Sequence, residues 1–266
     1  MTTKKIASEG AVKAMLLAAG RGTRARPLSL SAPKPMIPIL GRPVLERLLS
    51  YLAASGFEEV VVNTSYRANE VEDAIRDGSA LGLSVGYSFE GTIDADGRVI
   101  DSPLGSAGGM RRVQNHSGFF DSTFVVLCGD ALIDVDLQAV VEEHRRRGAL
   151  ATLVGKRVKP SEVSSYGVVV ADEGGRVQSF QEKPSPLEAR SNLVNTGIYV
   201  FEPRIFDFIP NEGVYDIGSQ LFPDLVARGE ALYVSERDFR WVDLGSARDY
   251  WSATQFLLAS ALDLAP

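Results

Sequence analysis

The sequence predicts an α/β protein built on a mixed, mostly parallel central sheet. Short apolar runs alternate with amphipathic stretches of helical period, the pattern of parallel strands joined by crossover helices. No Pro/Gly/Ser-rich linker divides the chain, so its two halves are expected to share one sheet. At 266 residues, 45% of them hydrophobic, the chain can bury a large core.

The elements follow in order. Residues 1–11 carry Lys4 and Lys5 with no apolar run behind them. They are expected to form a disordered lead-in and not a signal peptide. Residues 12–17 read as a buried strand. A helix is expected over 44–55, with Val44, Leu45, Leu48, Leu49 and Leu52 on one face and Gly56 as its C-cap. Then come a strand at 60–63, a helix at 69–76 and a strand at 84–89. The polar stretch 91–101 reads as a hairpin turning at Asp96-Gly97. A helix over 106–115, a wholly apolar strand at 124–127 and a helix over 137–147 complete the first half. The last of these carries Glu142, Glu143, Arg145, Arg146 and Arg147 as a solvated face. From about residue 151 short strands follow closely, at 151–154, 167–170, 177–180 and 194–201, and a helix is expected over 246–262. One domain is expected over 12–262, with halves meeting near residue 150.

Composition excludes several classes. The formal charge is 28 − 34 = −6, against the basic surface of a nucleic-acid binder. No segment approaches the ~20 apolar residues of a membrane span. The single cysteine, Cys128, forbids an intrachain disulfide and suits a reducing compartment, so a cytoplasmic protein is expected. His116 and His144 are the only histidines, and both are read as surface residues. No His/Cys cluster with zinc spacing occurs, and no Ser/His/Asp arrangement suggests itself.

The informative stretch is Leu17-Ala18-Ala19-Gly20-Arg21-Gly22-Thr23-Arg24-Ala25-Arg26-Pro27-Leu28. A strand runs into a loop of small residues, which lets backbone N–H groups approach a phosphate. Arg21, Arg24 and Arg26 add guanidinium groups suited to phosphate oxygens. Lys34, between Pro33 and Pro35, is a point charge on a stiffened backbone. The Walker A and dinucleotide fingerprints are both absent. Asp130, after Cys128-Gly129, ends a buried strand, where ligands bind in open α/β sheets.

With these residues the chain resembles the sugar-1-phosphate nucleotidylyltransferases, or NDP-sugar pyrophosphorylases, over about 12–259. Their signature G-x-G-T-R-x-R-P-L-[ST] followed by P-K-P stands here from Gly20 to Ser29 and Pro33 to Pro35, with Ala25 in place of a more usual leucine. Leu104-Gly105-Ser106-Ala107-Gly108-Gly109 matches their second glycine segment. Tyr166-Gly167, Glu182-Lys183-Pro184, Asn195-Thr196-Gly197 and Trp241-Val242-Asp243-Leu244-Gly245 match further landmarks.

The resemblance implies a Rossmann-like three-layer nucleotidyltransferase fold that joins an NTP to a sugar 1-phosphate and releases pyrophosphate. By the same resemblance, Leu17, Ala18, Ala19, Gly20, Gly22, Thr23, Glu90, Gly105 and Ser106 would contact the nucleotide. Arg24 and Lys34 would hold the triphosphate, and Asp130 and Asp243 would bind Mg2+. Lys183 would take the acceptor phosphate, with Gly167, Glu182, Asn195 and Thr196 on the sugar. The nearest likeness is to short mannose-1-phosphate guanylyltransferases and cyanobacterial glucose-1-phosphate uridylyltransferases. GTP is therefore expected ahead of UTP, with a sugar or cyclitol phosphate as acceptor, and homo-oligomerisation is left open. The left-handed β-helix of longer relatives is not expected. Two readings from other classes remain: a metal-dependent glycosyltransferase, because Asp134-Val135-Asp136 forms a DxD, and a silent sugar-nucleotide-binding regulatory subunit. The triphosphate loop and the full set of charged residues argue against both.

Overall fold

The computed structural model describes residues 12–20, 22–94, 96 and 99–262. The expected lead-in, Arg21 and Gly97 lie outside the described residues. The first half comprises β1 (Lys13–Leu17), α1 (Leu28–Ser31), the ribbon β2 (Pro38–Ile39) and β3 (Arg42–Pro43), α2 (Val44–Ala54), β4 (Glu59–Thr64), α3 (Ala68–Ile75) and β5 (Ser84–Phe89). It continues through the hairpin β6 (Gly91–Ile93) and β7 (Val99–Asp101), α4 (Gly105–Ser117), β8 (Phe124–Cys128), β9 (Ala131–Ile133) and α5 (Leu137–Arg147). The second half holds β10 (Ala151–Arg157), β11 (Gly167–Ala171), β12 (Val177–Glu182), β13 (Leu193–Phe201), α6 (Phe222–Ala227), β14 (Leu232–Glu236), β15 (Trp241–Asp243) and α7 (Ala247–Leu262).

Nine strands form one sheet in the order β12-β11-β13-β8-β1-β4-β5, with β10 and β14 joined through β13. Strands β8, β1, β4 and β5 are mutually parallel. β13 runs antiparallel to β8 and carries the sheet into the second half. The sheet is thus mixed and spans both halves. In β4, Val60 and Val62 enter one core cluster with the apolar face of α2, while Val61 packs on the other side with Met15, Met110 and Val126. Both faces are covered, which is why the parallel strands read as unbroken apolar runs.

Helix α4 is longer than expected, running to Ser117, where Gly118 caps it in the left-handed conformation. A larger correction concerns His144. It is fully buried, at 0% exposure, beside Leu137, Val140 and Val141 on the inner face of α5. Its Nε2 donates to Glu202 Oε1 at 3.1 Å, and its Nδ1 lies 2.8 Å from Thr152 Oγ1. Burial outweighs the pull of Glu202 and holds the imidazole pKa below its usual value. The unfolded chain therefore takes up this proton first as pH falls through about 6.5. Stability from His144 is complete above that pH and is lost below it. Melting temperatures should drop on acidification through this range, and His144→Gln should flatten that part of the curve.

Candidate active site

Parallel pairing sets Leu17 opposite Cys128, so the loops leaving β1 and β8 emerge side by side at the carboxyl edge of the sheet. A cleft of about 280 Å3 opens there. Its walls bring together Leu17, Lys34, Ser106, Asp130, Gly167, Glu182, Lys183, Asn195, Thr196 and Asp243 from the expected set.

Asp130 follows Gly129, whose N–H donates to Leu17 O at 2.9 Å; a Cβ on Gly129 would stand 2.9 Å from that oxygen. β9 and β15 pair antiparallel with Asp243 opposite Ala131, and Leu244 N donates to Asp130 O at 3.0 Å. This small ribbon joins carboxylates that are distant in sequence. Both reach the Lys34 ammonium, which contacts Asp130 Oδ2 and lies 3.5 Å from Asp243 Oδ1. Burial opposes the charge on Lys34, but the two aspartates outweigh it and raise its pKa above the usual lysine value. Among the described residues no cluster of three or more His, Cys, Asp or Glu could cage an ion. Two carboxylates converging on one cation, with other positions left to water and phosphate, are the hard-oxygen set that Mg2+ favours. The residues fit that ion.

On the opposite wall, β11 and β12 place Gly167 opposite Glu182. Lys183 follows in the left-handed region at φ +44°, a conformation that strains a non-glycine residue by ~1–3 kcal/mol and concentrates at functional sites. Its N–H donates to Tyr166 O at 3.1 Å, and its ammonium lies 3.2 Å from Glu182 Oε1. Asn195 Oδ1 accepts from Gly197 N at 3.0 Å, and Asn195 Nδ2 donates to Tyr199 Oη at 2.9 Å. The Thr196 hydroxyl donates to Val154 O at 2.8 Å.

The glycine-rich loop leaves the cleft wall at Leu17. Ala18 and Ala19 are buried, Gly20 and Thr23 are exposed, and none of the four lines the cleft. Gly22 also lies off the wall. It adopts φ +61° where a Cβ would meet Lys34 Cβ at 2.8 Å, so the loop folds back onto the Pro33-Lys34-Pro35 segment. Arg24 belongs to the turn Thr23–Ala25, and its side chain lies outside the described ones. Gly105, at φ +75°, is pressed against the backbone of Tyr215.

Two residues outside the expected set matter here. Asp216 lines the cleft and accepts from Ser106 Oγ at 2.7 Å. Burial opposes its ionisation, but donors from Ser106, Ser219 and Gly218 keep its carboxyl below the usual range. Asn63, next to last in β4, accepts from Ala18 N at 2.7 Å. Glu90, which the resemblance sets on the nucleotide, sits beneath the loops, and its two carboxylate oxygens accept from Asn63 Nδ2 and Leu104 N. The DxD pair is taken up locally: Asp134 accepts from Arg240 N at 2.6 Å, and Asp136 caps α5 through Ala139 N. His116 is exposed, as expected.

A cleft at the carboxyl ends of a mixed α/β sheet, with paired carboxylates on one side and lysines on both, defines an anion-handling α/β protein. Residues 13–260 match the family model described as Nucleotidyl transferase, and the chain belongs to that family. It is 52% identical over 248 residues to a UTP--glucose-1-phosphate uridylyltransferase of Synechocystis sp., covering 93% of this chain and 64% of that protein. It is 37% identical over 240 residues to a mannose-1-phosphate guanylyltransferase of Mycobacterium tuberculosis, covering 90% and 62%. This chain therefore spans less than two thirds of the length of these curated relatives. A UDP-glucose pyrophosphorylase solved with UDP-glucose shares the fold, with a TM-score of 0.75 and 20% identity over 94% of this chain and 100% of that one.

Proposed function

We propose that the chain transfers a nucleotidyl group from an NTP to a sugar 1-phosphate, forming an NDP-sugar and pyrophosphate. The observation that carries this reading is the meeting of Asp130, Asp243 and Lys34 in one cleft with Lys183. UTP with glucose 1-phosphate is the favoured pair, which reverses the expectation of GTP. The higher identity to the Synechocystis uridylyltransferase, 52% against 37% for the guanylyltransferase, supports the change.

The acceptor phosphate is already ionised near neutral pH, its second pKa being about 6, so the reaction needs no general base. The protein's task is to align two polyanions and offset their repulsion. In this reading residues 12–150 hold the nucleotide, through the glycine-rich loop, Gly105 and Ser106. Residues 151–262 hold the sugar phosphate, with Lys183 on its phosphate and Glu182 and Asn195 on the sugar. Lys34 would pass from its aspartate partners to the triphosphate, which Arg24 also serves. Asp130 and Asp243 would hold Mg2+, which when bound supplies positive charge to the oxygens around the α-phosphorus. No described helix is long and apolar enough to cross a membrane, and the single cysteine agrees with activity in a reducing, cytoplasmic setting.

A matrix of NTPs against sugar 1-phosphates, read by pyrophosphate release, tests the proposal. UTP with glucose 1-phosphate should lead. A lead for GTP with mannose 1-phosphate would restore guanylyl transfer, and silence from every pair would remove the activity.

A further inference from the structure

β4 and β5 run parallel, with Asn63 opposite Ser88 and Thr64 opposite Phe89. Their ends deliver Asn63 and Glu90 to one interior spot, 2% and 1% exposed. Ala18 N donates to Asn63 Oδ1 at 2.7 Å, Asn63 Nδ2 to Glu90 Oε1 at 2.7 Å, and Leu104 N to Glu90 Oε2 at 2.8 Å. The polarity of this chain is fixed. Backbone amides only donate, so the Asn63 oxygen must face Ala18, its NH2 group must face Glu90, and Glu90 must accept twice. Three bonds thus join the start of the glycine-rich loop to the residue that opens the second glycine segment. α4 closes over the pair, since a Cβ on Gly109 would collide with Glu90 Oε1 and stand 2.9 Å from Asn63 Nδ2. Neither Asn63 nor Glu90 lines the cleft. Burial pushes the Glu90 carboxyl pKa up, against the hydrogen bonds from Leu104 N and Asn63 that favour the carboxylate, and an apolar pair here would leave the N–H groups of Ala18 and Leu104 without these acceptors.

We infer that Asn63 and Glu90 are positioning residues, which set the spacing of the two nucleotide-facing segments and thereby control NTP affinity without touching the nucleotide. The inference rests on the proposed nucleotidyl transfer. Their joint effect can be separated from a merely structural one by reversing the middle hydrogen bond. In Glu90→Gln, either orientation of the new amide sets its NH2 group against a donor. In Asn63→Asp, two carboxyl groups face each other and can keep the middle hydrogen bond only by holding an extra proton, so UTP binding to this variant should weaken further as pH rises. In the double variant, the new carboxylate would accept from Ala18 N and from the new amide, whose oxygen would accept from Leu104 N. All three bonds return at unchanged net charge.

UTP binding is measured by calorimetry, and the KM of glucose 1-phosphate by pyrophosphate release at saturating UTP. Each single variant should weaken UTP binding about tenfold or more, with the KM of glucose 1-phosphate within about twofold. The double variant should return within about threefold of the parent. Gly109→Ala, which crowds Glu90 from α4 and removes no hydrogen-bonding group, provides a further probe should a single variant fail to fold. It should weaken UTP several-fold and spare glucose 1-phosphate. Parent-like UTP affinity in the single variants, a double variant no better than the weaker single, or parallel loss of both substrates in Gly109→Ala overturns the inference. Those results leave the proposed function standing if the parent binds UTP. A parent that binds no NTP removes the function itself, and the inference with it.

Discussion

Asp130→Asn should reduce pyrophosphate release by at least about a thousandfold, a barrier increase of about 4 kcal/mol, while the protein melts close to the parent. The substitution keeps the side chain's shape and removes its charge. Lys34 retains Asp243 at 3.5 Å, and backbone bonds from Leu244 N to Asp130 O and from Gly129 N to Leu17 O hold the loop in place. The fold therefore loses little. The proposed metal site loses one of its two carboxylates, and an amide oxygen is a weaker ligand for a hard cation. Raising Mg2+ should not restore the rate, and chelation should silence the parent protein. If Asp130 served only to anchor Lys34, the variant would turn over at a near-normal rate with a lowered melting temperature. That outcome would end its assignment to the metal.

The expected residues separate by the kind of signal they carry. The alternation of apolar runs and amphipathic helices is legible, because burial on both faces of a parallel sheet writes itself into composition. Gly22 and Lys34 are legible through their motifs; the close approach of Lys34 Cβ to a left-handed backbone accounts for the glycine, and the carboxylates of Asp130 and Asp243 account for the lysine. The pairing of Asp243 with Asp130 is not readable from spacing. It depends on β15 meeting β9, a ribbon of three-residue strands, and only resemblance points to it. His144 reads as a surface residue because charged neighbours surround it in sequence. The helical period that buries Leu137, Val140 and Val141 also carries position 144, and that signal is the better guide. The burial of Glu90 is not legible for a different reason. A motif gives an element's place in the chain, whereas the direction of a side chain leaving a strand depends on what the next element covers. Here Asn63 and α4 turn Glu90 inward.

Lys183→Ala should raise the KM for the sugar 1-phosphate about 10- to 100-fold, with the KM for NTP within about twofold, as expected when a charged hydrogen bond to a phosphate is lost. The split follows from position. Lys183 stands at the end of β12 on the wall built by the second half, whereas Lys34 and Asp130 stand on the first-half side. The backbone at φ +44° complicates the alanine variant, because alanine is also strained there and a shifted loop would mimic a lost charge. Lys183→Gly separates the two effects: glycine relieves the strain and equally lacks the ammonium. Matching KM changes in the two variants would assign the effect to the charge. Recovery in the glycine variant would assign it to loop geometry. Equal loss for NTP and sugar phosphate would show that Lys183 holds the cleft together and does not select the acceptor.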